Sequence, residues 1–172
     1  MMVNWIPLLL LETTTFILGH FFLNEIQWQF MQRLVLTGFW LYLMFLFFLC
    51  FRPSFGNPFV IFRSFHNVPI NIWPTLNLRI DTLENIILTV PAGAFFALVF
   101  QRINLLEAGL LSIIPGILIE SGQFVADYFC QIERIVDIND IISNWLGCML
   151  GFFVISSIIR INPKLWQRFA FN

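Results

Sequence analysis

Charge is scarce in this chain. Lys and Arg together number 9 and Asp and Glu 10 in 172 residues, so charged side chains make up 11% of the sequence and the formal net charge is −1. A soluble domain carries about 25% charged residues and roughly 45–50% apolar ones. Here 59% of residues are hydrophobic and the mean hydropathy is +0.83, which excludes an ordinary soluble fold. Nucleic-acid binding is excluded as well, for want of a basic patch. Cysteine and histidine are equally sparse. Cys50, Cys130 and Cys148 lack metal-ligand spacing, while His20 and His66 stand alone, so no metal site is expected. Cys50 and Cys148 read instead as apolar packing residues. No Gly-rich phosphate loop opens a helix and no serine sits in a nucleophile elbow, so no cofactor is expected and no established enzyme motif is present.

What the chain has is long apolar runs. The expected fold is all-α, a polytopic membrane bundle of four to five transmembrane helices, since about 20 residues cross a bilayer. Leu34 to Phe51 is uncharged throughout and is the strongest span. Asn85 to Gln101 contains Pro91 and Gly93 and is expected to kink, the freed backbone groups being satisfied by neighbouring helices. Ala108 to Val125 is apolar apart from Ser112, Glu120, Ser121 and Gln123, so its second half must face protein or water. The last span begins near Ile141 or Asn144 and ends by Arg160, followed by Lys164, Arg168 and the interfacial anchor Trp166. Trp5 to Leu23 carries Glu12, three threonines and His20. With no basic start and no small-residue cleavage site it is not a signal peptide; it reads as an extra span, with a re-entrant or interfacial helix as the alternative.

The chain divides into an N-terminal hydrophobic segment, 1–33, a membrane domain, 34–161, with one long loop, 52–83, and a basic tail, 162–172. Arg33, Arg102, Arg160, Lys164 and Arg168 fall on one side of the membrane, and Arg52, Arg63, Arg79 and Arg134 on the other. The basic tail and the short loops favour the first side as cytoplasmic. This places the protein in the cytoplasmic (inner) membrane with the 52–83 loop outward. In that loop Pro53, Pro58, Pro69 and Pro74 oppose a regular helix, while Phe55, Phe59, Phe62, Phe65 and Trp73 oppose disorder. An ordered loop packed on the helix ends is expected.

The unusual feature is a polar stripe, Arg134-x-x-Asp137-x-x-Asp140-x-x-x-Asn144-x-x-Gly147, leading into an uncharged segment. If helical, it aligns these side chains with Gly151 on one face, which lipid would solvate poorly. Glu120 and Gln123 share one helical face with Asp127. A turn around Phe129 to Glu133 would fold the stripe back toward them. The expected result is a shared polar pocket in which Arg134 pairs with Asp137 or Glu120 and Asn144 satisfies backbone carbonyls.

Three motifs occur in order: Asn85-x-x-Leu88-x-x-Pro91-x-Gly93, Glu120-x-x-Gln123, and the stripe continued to Gly151. Together with Arg63-Ser64-Phe65-x-x-Val68-Pro69 they resemble the VanZ-like membrane protein family over about Leu34 to Phe153. Two positions depart from the family pattern, Ile70 after Pro69 and Ala92 after Pro91. The resemblance implies a small integral membrane protein associated with reduced glycopeptide or lipoglycopeptide susceptibility, with no biochemical activity established.

Three functional classes remain open. In the leading one, the protein recognises an anionic or lipid-linked envelope molecule, such as a lipid-linked cell-wall precursor, at the outer face. Arg63, Arg79, Glu120, Gln123, Arg134, Asp137, Asp140 and Asn144 would line the site, and membrane lipids are its partners. In the second, Glu120 acts as acid or base and Asp137 and Asp140 hold Mg²⁺ in an enzyme acting on a lipid phosphate. In the third, Gly147 and Gly151 form a small-residue face for a homo- or hetero-oligomer. Asn85, Pro91, Gly93, Gly147 and Gly151 are assigned structural roles.

Overall fold

The computed structural model describes residues 3–54, 63–75, 79–100, 103–166 and 169, with the side chains of Val3, Arg63, Ser64, Leu165 and Trp166 left aside. Phe55, Pro58, Phe59, Phe62, Arg102 and Arg168 lie outside the described residues, as do the roles expected of the Arg63 and Trp166 side chains.

Among the described residues five helices are long and apolar enough to cross a membrane: α1 (Ile6–Glu25), α2 (Phe30–Phe51), α3 (Ile80–Val99), α4 (Leu105–Cys130) and α5 (Ile138–Ile161). A short α6 (Pro163–Trp166) follows. The protein is a multi-pass membrane protein, and the segment around Trp5 to Leu23 is a helix of spanning length. Several helices begin before their apolar runs do, because polar residues close their first turns. Gln29 and Gln32 form a capping box on α2, and Asn104 and Glu107 form one on α4. In α5 the Asp137 carboxylate accepts from the Asn139 N–H at 2.8 Å, so the helix starts at Ile138 and not at Ile141 or Asn144.

The polar stripe is therefore not one helix. Gln131 and Glu133 have positive φ, 52° and 57°, which ends α4 and turns the chain back. Arg134 then lies between α4 and α5, outside any helix, and Val136–Asp137 forms a short strand, β3. Only Asp140, Asn144, Gly147 and Gly151 share the α5 helix. Part of the 52–83 loop is also regular. Strands β1 (Arg63–Phe65) and β2 (Val68–Asn71) form a hairpin through His66 and Asn67, both at positive φ, and β3 adds parallel to β2 with Asn71 opposite Asp137. The sheet joins the loop to the α4–α5 turn.

Small residues set the helix packing. A methyl group added at Gly147 would run into the Ile86 carbonyl, one at Gly151 into the Val90 carbonyl, and one at Gly93 into the Cys148 carbonyl. This seats α3 on α5 at backbone contact, and the Thr89 hydroxyl donates across it to the Asn144 carbonyl at 2.8 Å. The Gly147 and Gly151 face, a candidate oligomer contact in one of the three readings, packs against α3 of the same chain. α4 meets α5 at Gly116, where an added Cβ would lie 3.0 Å from the Ile141 carbonyl, and Trp145 Nε1 donates to the Gly109 carbonyl at 3.0 Å. α1 packs on α2 through Trp40, whose Nε1 donates to the Thr15 carbonyl at 3.0 Å. Cys50 and Cys148 are buried among these contacts, Cys50 within an apolar cluster with Leu46, Phe51 and Ile119.

Candidate functional site

The ends of α2 and α4 and the starts of α3 and α5 gather at one end of the bundle. Between them lies a cavity of about 810 Å³. α2 contributes Leu49 and Cys50, followed by Arg52; α3 contributes Asp81, Glu84, Asn85, Ile87 and Leu88 behind Arg79; α4 contributes Ile119, Glu120 and Gln123. The reverse turn supplies Glu133, Arg134, Ile135 and Asp137, and α5 supplies Asp140. Its lining combines apolar side chains with charged groups of both signs.

The buried polar groups are tied to the backbone. Glu120, 3% exposed, accepts the Asp137 N–H on Oε2 at 2.8 Å. Gln123, 7% exposed, donates to the Cys50 carbonyl at 2.8 Å. Asp127 lies below the turn and accepts the Glu133 N–H at 2.7 Å. Asp140 on α5 and Asn85 on α3 line the same cavity.

Arg134 departs most from expectation. Its Nη2 donates to the Leu49 carbonyl at 2.9 Å and its Nε to the Arg52 carbonyl at 3.2 Å, so it satisfies the C-terminal carbonyls of α2 that no helical N–H can reach. Burial pushes its guanidinium below the ordinary arginine value, with the nearby Arg52 charge acting the same way. It pairs with neither Asp137 nor Glu120. Among the described residues the ion pair is Arg79 with Asp81, at 3.4 Å, and both side chains are exposed.

Asp137 is likewise engaged. One oxygen, Oδ1, accepts the Asn71 Nδ2 at 3.0 Å, the Asn139 N–H at 2.8 Å and the Asn139 Nδ2 at 2.7 Å. These bonds hold the hairpin to the start of α5. The three bonds share Oδ1, and no three His, Cys, Asp or Glu side chains among the described residues gather as a metal-binding group. Asn144 is buried in the α3–α5 contact, where its own backbone carbonyl is the bonded group.

These positions are the ones that carry the sequence motifs, and the VanZ/LLP1 family profile matches residues 39–160. The chain belongs to the VanZ/LLP1 family. No curated protein and no solved structure matches it. In this VanZ/LLP1 protein α1 lies outside the matched segment, which takes in most of α2 and all of the cavity lining.

Of the site residues expected from sequence, Arg79, Glu120, Gln123, Arg134, Asp137 and Asp140 line one cavity. Asn144 does not, and the Arg63 side chain lies outside the described residues. Arg52, Asp81 and Glu84 were missed. The last two carried a signal, because Asp81, Glu84, Asn85 and Leu88 follow helical spacing and mark a polar face at the start of α3. Asn71 and Asn139 carried none, since only the sheet brings them to Asp137.

Proposed function

We propose that this protein recognises an anionic or lipid-linked envelope molecule at the outer face of the bacterial inner membrane, and that lowered glycopeptide or lipoglycopeptide susceptibility follows from that binding. The observation that carries this reading is the cavity itself: room for a headgroup, with Arg52 and Arg79 and the apolar side chains of Leu49, Ile87, Leu88 and Ile119 in one lining. Arg52 and Arg79 are its anion-binding side chains. Both are exposed, and the surface pair of Arg79 with Asp81 is worth only about 0–1 kcal/mol, so an incoming phosphate or carboxylate displaces it at little cost. Arg134 and Asp137 hold the frame.

The second reading, an enzyme acting on a lipid phosphate, draws support from Glu120 and Asp140 lining the same cavity. Native mass spectrometry of the detergent-purified protein separates the two. Expected is retained lipid with an anionic headgroup, reduced about tenfold (near 1.4 kcal/mol) in an Arg52→Gln, Arg79→Gln double variant of equal folded yield and unaffected by chelator. Retention no different from bulk membrane lipid would sink the binding reading. Chelator-sensitive turnover of a lipid phosphate would replace it with the enzymatic one.

A further inference from the structure

The cavity is not closed equally on all sides. α3 and α5 meet at backbone contact through Gly147 and Gly151, α4 and α5 meet through Gly116, and Gln123 ties α4 to the end of α2. The remaining side is the seam between α2 and α3. Among the described residues it is sealed only deeper in the bundle, where the Tyr42 hydroxyl donates to the Leu88 carbonyl at 2.7 Å and the Phe39 and Phe95 rings stack with centroids 3.7 Å apart. Toward the cavity end the seam is bordered by apolar side chains. Ile87 both lines the cavity and is 69% exposed on a membrane-spanning helix, so one side chain bounds the polar chamber and meets lipid. Leu83 on α3 and Phe45 on α2 are also exposed, at 50% and 58%.

We propose that the ligand enters this cavity sideways from the bilayer, through the α2–α3 seam, and that its hydrocarbon chain lies in the seam with Tyr42 as the floor. The ligand is then a membrane lipid and not a soluble anion. This rests on the cavity being the headgroup site. Ile87 belongs both to the cavity lining and to the lipid-facing surface of α3, so an amphiphile keeps its chain in hydrocarbon while only its headgroup exchanges water for the polar lining. A soluble anion would have no use for that continuity.

The test uses the full chain reconstituted in phosphatidylethanolamine and phosphatidylglycerol vesicles containing phosphatidylglycerol with a diazirine on one acyl chain. Crosslinked residues are mapped after illumination. Labelling is expected to be several-fold higher at Leu49 and Ile87 than at Leu146, which is exposed on α5 at a similar distance from the helix start. Ile87→Trp, which fills the seam, should lower labelling of Leu49 several-fold. Ile87→Ala, which widens it, should raise it, so the proposal stays testable if the larger side chain impairs folding. Even labelling of Leu49, Ile87 and Leu146 would overturn sideways entry. If glycerol 3-phosphate protects the cavity arginines from a guanidine-modifying reagent while the seam stays unlabelled, the headgroup reading stands and sideways entry alone is wrong.

Discussion

Arg134 shows how a charge near a membrane boundary is accommodated. A salt bridge is the partner suggested by sequence spacing, but helix ends compete for the same cation with several unsatisfied carbonyls apiece. Here α2 wins, through Leu49 and Arg52. A hydrogen bond from a charged donor contributes about 1.5–3 kcal/mol, so Arg134→Ala should lower the stability of the folded protein by a few kcal/mol, read as the shift in its denaturation midpoint in mixed detergent. Arg134→Lys should fall between the two, because one ammonium keeps the charge but loses the fork that spans both carbonyls. The spacing alone suggests that Asp137→Ala would rescue Arg134→Ala by removing an unpaired charge. The bonds observed predict no such rescue, and a double variant more stable than either single one would show that the pair forms after all. Which residues are polar and near one another was legible here. Which atoms they serve was not, because that depends on where the carbonyls of α2 end in space.

At the scale of elements, hydropathy located four spans and a candidate fifth to within a turn or two of helix, since apolar length is a local property of the chain; the polar first turns of α2, α3 and α5 lie outside the apolar runs and were not legible as helix. The three-stranded sheet was not legible. Its strands are two to four residues long, too short for alternation to register, and β3 exists only because β2 lies beside it. The Gly147 and Gly151 pattern was legible as a close-packing face, but its partner was not. Packing against α3 predicts that Gly147→Ala destabilises the monomer by about 1–3 kcal/mol, the usual penalty for overpacking. Gly38→Ala should be neutral or mildly stabilising, since nothing lies within 4 Å of an added Cβ there. Both are read from denaturation in mixed detergent. If Gly147→Ala instead left the monomer unchanged and dissolved an oligomer, the face would belong to an intermolecular contact.

For the molecule as a whole, the cysteines report orientation. Cys130 ends α4 at the cavity end and is partly exposed, whereas Cys50 and Cys148 are 8% and 0% exposed. With the basic tail cytoplasmic, a membrane-impermeant maleimide should label Cys130 on intact cells and leave Cys50 and Cys148 unmodified. Labelling of Cys130 only after lysis would reverse the orientation. The sequence by itself determined that this protein lives in a membrane, that four or five of its segments are long and apolar enough to cross it, and which polar residues the hydrocarbon would not tolerate. Each of these follows from transfer free energies summed over neighbouring residues. Tertiary structure alone decided that Arg52 and Arg79 edge the cavity while Arg134 closes a helix end, that Asp137 is held by asparagines from the sheet and from α5, and that the glycine face is spent within the chain. Those outcomes depend on which backbone groups remain unsatisfied once the helices are packed, and such groups are defined by distant parts of the chain meeting in space.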